Sequence, residues 1–85
     1  MKWTVDWVPS AEGDLADFWS KGPDRQEITA AADAIDVDLS RDPYSVGESR
    51  QGNLRVLFMP PLAIYYKVDQ AANKVIVTSV WRHAK

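Results

Sequence analysis

The stretch that decides the architecture runs from Leu54 to Arg82 and reads LRVLFMPPLAIYYKVDQAANKVIVTSVWR. Three runs rich in Val, Ile, Leu, Phe and Tyr follow one another there, over residues 54–59, 62–68 and 74–82, and each reads as a strand. Pro60-Pro61 separates the first from the second, because proline donates no ladder hydrogen bond. Asp69-Gln70-Ala71-Ala72-Asn73 joins the second to the third with a hairpin connection of ordinary length. Side chains alternate along a strand, so Arg55 is expected beside Leu57 and Met59, and Arg82 beside Val80, Thr78 and Ile76. The same alternation groups Trp81 with Val75, Val77 and Ser79. It also sends Tyr65 and Tyr66 to opposite faces, one into the core and the other onto the open side, where a tyrosine can stack a base.

Upstream of this block the period is helical. Residues 3–8 alternate as a first strand, and Pro9-Ser10 ends it. Ser10 is the expected N-cap of a helix whose apolar positions are Ala11, Leu15, Phe18 and Trp19, with Gly22 as its left-handed C-terminal residue. Trp3, Trp7, Phe18 and Trp19 read as core between that helix and the first strand. Asp24 and Glu27 have capping-box spacing for a second helix. Its stripe is Ile28, Ala31, Ala32, Ile35 and Leu39, with Asp33, Asp36 and Asp38 pointing away. Asp42-Pro43 stops it, and Tyr44–Ser49 is read as a loop. The expected fold is therefore α+β: a helical hairpin packed on a mainly antiparallel four-stranded sheet, in the order β-α-α-β-β-β. One hairpin covers one face, so the other face of the sheet is left for water or a partner.

Composition narrows the function classes. Eighty-five residues make one domain, spanning 1–85. With no cysteine and one histidine, neither a disulfide scaffold, nor a cysteine nucleophile, nor an all-protein zinc site is expected. No apolar run approaches the roughly 20 residues that cross a bilayer, and the expected location is the cytoplasm. The net charge is −2, but the halves differ: residues 1–49 carry four Lys/Arg against eleven Asp/Glu, and residues 50–85 carry six against one. The basic half is either the outer side of a sheet or a functional surface.

The strings Gly47-Glu48-Ser49-Arg50, Leu54-Arg55-Val56-Leu57-Phe58, Ile64-Tyr65-Tyr66-Lys67-Val68-Asp69 and Val75-Ile76-Val77-Thr78-Ser79-Val80-Trp81-Arg82-His83 together resemble the toxins of the RelE/ParE superfamily, from bacterial type II toxin–antitoxin pairs. The resemblance covers nearly the whole chain. It implies a growth inhibitor neutralised by a cognate antitoxin, in one of two branches. RelE-like members are ribosome-dependent mRNA endonucleases, whereas ParE-like members inhibit DNA gyrase and cut nothing. A third expectation is a degenerate, non-toxic binding relative.

In the RNase branch the RNA 2′-hydroxyl is the nucleophile, so the resemblance implies neither metal nor cofactor. Charge stabilisation at the phosphoryl oxygens and a general acid–base pair are the requirements. The candidate catalytic residues carried over are Arg82, Arg55, Arg50 and His83: three cations for the phosphate and one imidazole for the proton. The bland alternatives are strand-edge or solvent-facing charges for the arginines, and an unemployed near-terminal imidazole for His83. Ala63 stands where RNase members commonly place arginine, and no aromatic residue follows His83. Open strand edges and an uncovered face also make a second copy of the chain an expected partner.

Overall fold

The computed structural model describes residues 2–83. Its elements are β1 (Thr4–Trp7), α1 (Pro9–Lys21), α2 (Arg25–Arg41), β2 (Glu48–Ser49), β3 (Leu54–Met59), β4 (Leu62–Asp69) and β5 (Lys74–Arg82). The strands form one five-stranded sheet in the order β1-β5-β4-β3-β2. The three long strands are antiparallel neighbours, while β1 lies parallel to β5. The sheet is thus mixed and has five strands, where the sequence suggested four. The extra one is β2, a two-residue strand inside the expected loop, paired with Val56 and Arg55 of β3.

Both helices cover one face of this sheet. From α2 come Ile28, Ala31, Ile35 and Leu39, and from α1 Ala11. They meet Leu57, Leu62, Ile64, Tyr66, Val75, Val77 and Val80. Ile35 and Leu39 are fully buried, so the stripe read at helical spacing is the core-facing stripe. Trp3, Val5 and Trp7 of the β1 region pack on the same side, and Trp7 Nε1 donates to Asp36 Oδ1 at 2.9 Å.

The helix ends are built differently from the capping pattern in the sequence. Pro9 rather than Ser10 opens α1, with Val8 at the N-cap, because a proline at the first position fills a slot where no N–H is needed. Gly22 is extended (φ −87°, ψ 158°), not left-handed. What it must spare is space: a Cβ there would stand 2.8 Å from both Phe18 O and Asp24 Oδ1. Asp24 is the N-cap residue of α2, yet its side chain makes no capping bond.

A bulge in β5 decides which side chains reach which face. Tyr65 pairs with Ser79, but Tyr66 pairs with Val77, leaving Thr78 as the inserted residue. Thr78 Oγ1 donates to Tyr65 O at 3.3 Å. Directly paired residues share a face, so Val75, Val77, Val80 and Arg82 lie on the helix side. Ile76, Ser79 and Trp81 lie on the open side. Simple alternation therefore misplaced Trp81 and, of the neighbours expected for Arg82, kept only Val80, since it does not allow for an inserted residue.

Candidate functional site

The open face carries two aromatic pairs. Phe58 and His83 have ring centroids 4.7 Å apart and tilted by 43°. Tyr65 and Trp81 are 4.8 Å apart and tilted by 48°. Their spacing follows from the register: Ala63 pairs with Phe58 on one side and Trp81 on the other, while Tyr65 pairs with Val56. Among the described residues no helix lies over this face, yet Ala63 and Val56 are 0% and 2% exposed. The surrounding rings shield these small residues, and Phe58 remains 41% exposed. The backbone fixes the C-terminal ring too, since His83 N–H donates to Pro61 O at 2.8 Å.

Cations frame the other end of the same face. Lys67 pairs in register with Leu54 and Ile76, is exposed, and forms no ion pair among the described residues. Arg50 is anchored through its N–H to Leu54 O at 2.8 Å, and its guanidinium meets Glu48 at 3.1 Å. Leu54 and Phe58 lie four positions apart along β3, about 13 Å at strand rise.

Two arginines occupy the helix side instead. Arg55 Nε donates to Tyr66 Oη at 3.1 Å, and its Nη2 donates to Tyr44 O at 3.2 Å and Val46 O at 3.0 Å. The Tyr66 hydroxyl also lies 2.8 Å from Pro43 O and 2.9 Å from Val46 O. Burial raises the Tyr66 pKa above its ordinary 10.0, opposed by the hydrogen bond and charge of Arg55. Gly47 closes this knot: at φ +69° it turns the chain where a Cβ would stand 2.6 Å from Val56 O and 2.7 Å from Tyr66 Oη. Arg82 reaches Asp24, with Nη2 to Oδ2 at 2.7 Å.

A third feature is an open groove of about 680 Å³ between the two helices. Leu15, Ala16, Ile28 and Ala32 line it, with Glu12, Asp17, Asp33 and Asp36 around them. Trp19 borders it and is 44% exposed, so it is not the core residue the helical stripe implied. Its Nε1 donates to Thr29 Oγ1 at 3.1 Å, and the Arg25 guanidinium lies 4.6 Å from the ring centroid.

No family model matches the sequence, and no curated protein matches it. Solved structures do. A chain of the toxin–antitoxin complex RelBE2 from Mycobacterium tuberculosis superposes with a TM-score of 0.79 at 25% identity, covering 100% of this chain and 95% of that one. This chain has the RelE/ParE toxin fold. The isolated RelE toxin of E. coli shares it, with a TM-score of 0.60 at 15% identity over 98% of this chain and 86% of that one.

Within the RelE/ParE fold, the four carried-over candidates do not assemble into one cluster. Arg50 and His83 lie on the open face near opposite ends of β3. Arg55 is committed to Tyr66 and the Tyr44–Val46 carbonyls, and Arg82 to Asp24. What the sequence reading missed is the aromatic platform itself. Alternation sent one of Tyr65 and Tyr66 to the open side without deciding which, Phe58 was not singled out, and Trp81 was hidden by the bulge. The available signal was Phe58 alternating with Leu54 and Val56, opposite the core-facing Leu57. Lys67, two residues beyond Tyr65, was legible by the same rule.

Proposed function

We propose that this chain is the toxin of a bacterial toxin–antitoxin pair, that it acts in the cytoplasm, and that the open sheet face engages single-stranded RNA. The observation that carries this reading is the pair of aromatic stacks around Ala63 on a face no helix covers. Bases stack on exposed rings with little regard to sequence, and each stack contributes about 1–3 kcal/mol. Lys67 and Arg50 offer phosphate contacts along the strand direction: Lys67 is two residues from Tyr65, about 7 Å at strand rise, and Arg50 lies by Leu54, about 13 Å from Phe58.

The RelE-like outcome is ribosome-dependent cleavage of messenger RNA. The RNA 2′-hydroxyl attacks the adjacent phosphorus and the bond to the 5′-oxygen breaks, leaving a 2′,3′-cyclic phosphate and a 5′-hydroxyl. His83 takes the proton of the nucleophile while water protonates the leaving oxygen, or it protonates the leaving oxygen while water accepts the proton of the nucleophile. Arg82 precedes His83 but projects to the helix side, so its guanidinium serves the phosphate by swinging round the end of β5 once released from Asp24.

A second reading has an observation of its own. Arg55 is spent on the Tyr66 knot, and Ala63 occupies the centre of the open face without a polar group. That composition suits a non-catalytic inhibitor binding a protein such as DNA gyrase through its aromatic surface. A relative that merely binds and is harmless is the remaining outcome.

The antitoxin is the expected partner in every active case. The groove between α1 and α2, apolar inside and ringed by carboxylates, suits a helical segment that brings small apolar anchors and flanking Lys or Arg. The deciding experiment maps RNA 5′-ends on translating ribosomes with purified protein, alongside a supercoiling assay with gyrase. New 5′-hydroxyl ends abolished by His83→Ala support the endonuclease. Inhibited supercoiling without new ends selects the second reading.

A further inference from the structure

We propose that Asp24 is an internal competitor for Arg82, and that it alternates between holding this arginine and capping α2. The inference deepens the RNA-binding reading and rests on it. Its starting point is a residue in the wrong bond. Asp24 occupies the N-cap position of a 17-residue helix, and Asp there ordinarily accepts from the N–H two or three positions on. Here its backbone (φ −111°, ψ 46°) is off the extended region usual for a cap, and the side chain makes no capping bond. One carboxylate oxygen turns to Arg82 Nη2 at 2.7 Å. The other, Oδ1, is buried and has no hydrogen-bond partner among the described residues.

The resting arrangement therefore satisfies half of a carboxylate and leaves the first turn of α2 without its side-chain cap. A free alternative exists for the aspartate, so losing Arg82 does not leave it stranded. Arg82 is also reachable, with its side chain 43% exposed. Gly22 permits the contact: a Cβ would stand 2.8 Å from Asp24 Oδ1 and 3.4 Å from Arg82 Nη1. Only two residues, Pro23 and Asp24, follow Gly22 before α2 begins, so the carboxylate stays close to the strand end in either position.

A phosphate that follows the RNA off the open face and round the end of β5 must then displace one carboxylate from Arg82, and Asp24 moves to the N–H groups of the first turn of α2. The isolated chain is self-restrained at the arginine beside His83. The restraint is modest, because partly exposed ion pairs are weak.

The test measures binding of a fluorescent single-stranded RNA oligonucleotide, blocked at every 2′-position so that it cannot be cleaved, by anisotropy at low salt. Arg82→Ala must weaken binding. Asp24→Asn must tighten it roughly two- to five-fold, the range expected for removing a partly exposed pair. Asp24→Ser must tighten it equally while keeping the melting temperature, since serine caps α2 but cannot hold Arg82 as an ion pair. In the Arg82→Ala background neither change has an effect. Asp33→Asn, which removes an exposed acid of the same helix, serves as the control for charge in general. If Arg82→Ala weakens binding but the Asp24 variants do not tighten it, or Asp33→Asn tightens it as much, the competitor role is overturned and the RNA reading stands. If Arg82→Ala changes nothing, this arginine does not contact RNA, and the competitor role falls with that contact.

Discussion

Replacing Tyr66 with Phe removes one oxygen and leaves the ring, so it isolates the knot that ties the 43–47 segment to the sheet. The hydroxyl is within hydrogen-bond reach of Arg55 Nε, Pro43 O and Val46 O, and the residue is fully buried. A neutral hydrogen bond contributes about 1 kcal/mol net, and one to a charged group about 1.5–3 kcal/mol. Arg55 keeps its two carbonyl acceptors through Nη2, which limits the loss. The expected cost of Tyr66→Phe is therefore about 2–3 kcal/mol, a fall in melting temperature of roughly 10–20 °C for a domain of this size. Urea and thermal denaturation followed by circular dichroism measure it. Arg55→Met in the same background should cost less than it does alone, because the two side chains share a bond.

The hydroxyl also predicts a pH effect with a definite sign. The folded pKa of Tyr66 is raised above 10.0, so the folded state holds this proton more tightly than the unfolded chain. Its contribution is complete below pH 10 and is lost as pH rises through the folded value. Stability should fall above pH 10 more steeply in the wild type than in Tyr66→Phe. A melting temperature lowered by less than about 3 °C, or parallel alkaline profiles, would refute the reasoning.

Leu39→Ala, at a fully buried position, should cost about 3–5 kcal/mol, whereas Val37→Ala on the exposed side of the same helix should change denaturation little. Gly47→Ala combines a left-handed φ with a 2.6 Å approach to Val56 O, and should lower the melting temperature even though it adds a single methyl group. Trp19→Ser should weaken antitoxin binding at least ten-fold by calorimetry, as for an exposed aromatic anchor, with a smaller effect on stability than Leu39→Ala.

The parts of the fold legible in the sequence are those where apolar spacing alone sets the outcome. Ile28, Ala31, Ile35 and Leu39 could face only one way, β3 begins and ends where a β-rich run meets turn residues, and β5 begins at one. The parts that were not legible depend on a single distant partner or one inserted residue. Nothing in Val77-Thr78-Ser79 announces a bulge, yet it moves Trp81 from one face of the sheet to the other. Ser10 and Asp24 satisfy capping preferences locally, but Pro9 takes the first helical position and Arg82, 58 residues away, takes the carboxylate. Two residues suffice for β2 because it borrows its partners from β3. The candidate site shows the same division. Arg55 looked available for a phosphate because its acceptors, Tyr44 O, Val46 O and the Tyr66 hydroxyl, lie 9 to 11 positions away in sequence.

The measurement that bears most directly on the central claim is growth after inducing this chain without an antitoxin, compared with a Phe58→Ser, Trp81→Ser double variant whose fold is confirmed by circular dichroism. Arrest by the wild type, accompanied by new messenger-RNA ends, and normal growth with the variant are expected. Soluble wild-type protein with unimpaired growth, or arrest undiminished in the variant, would contradict that claim.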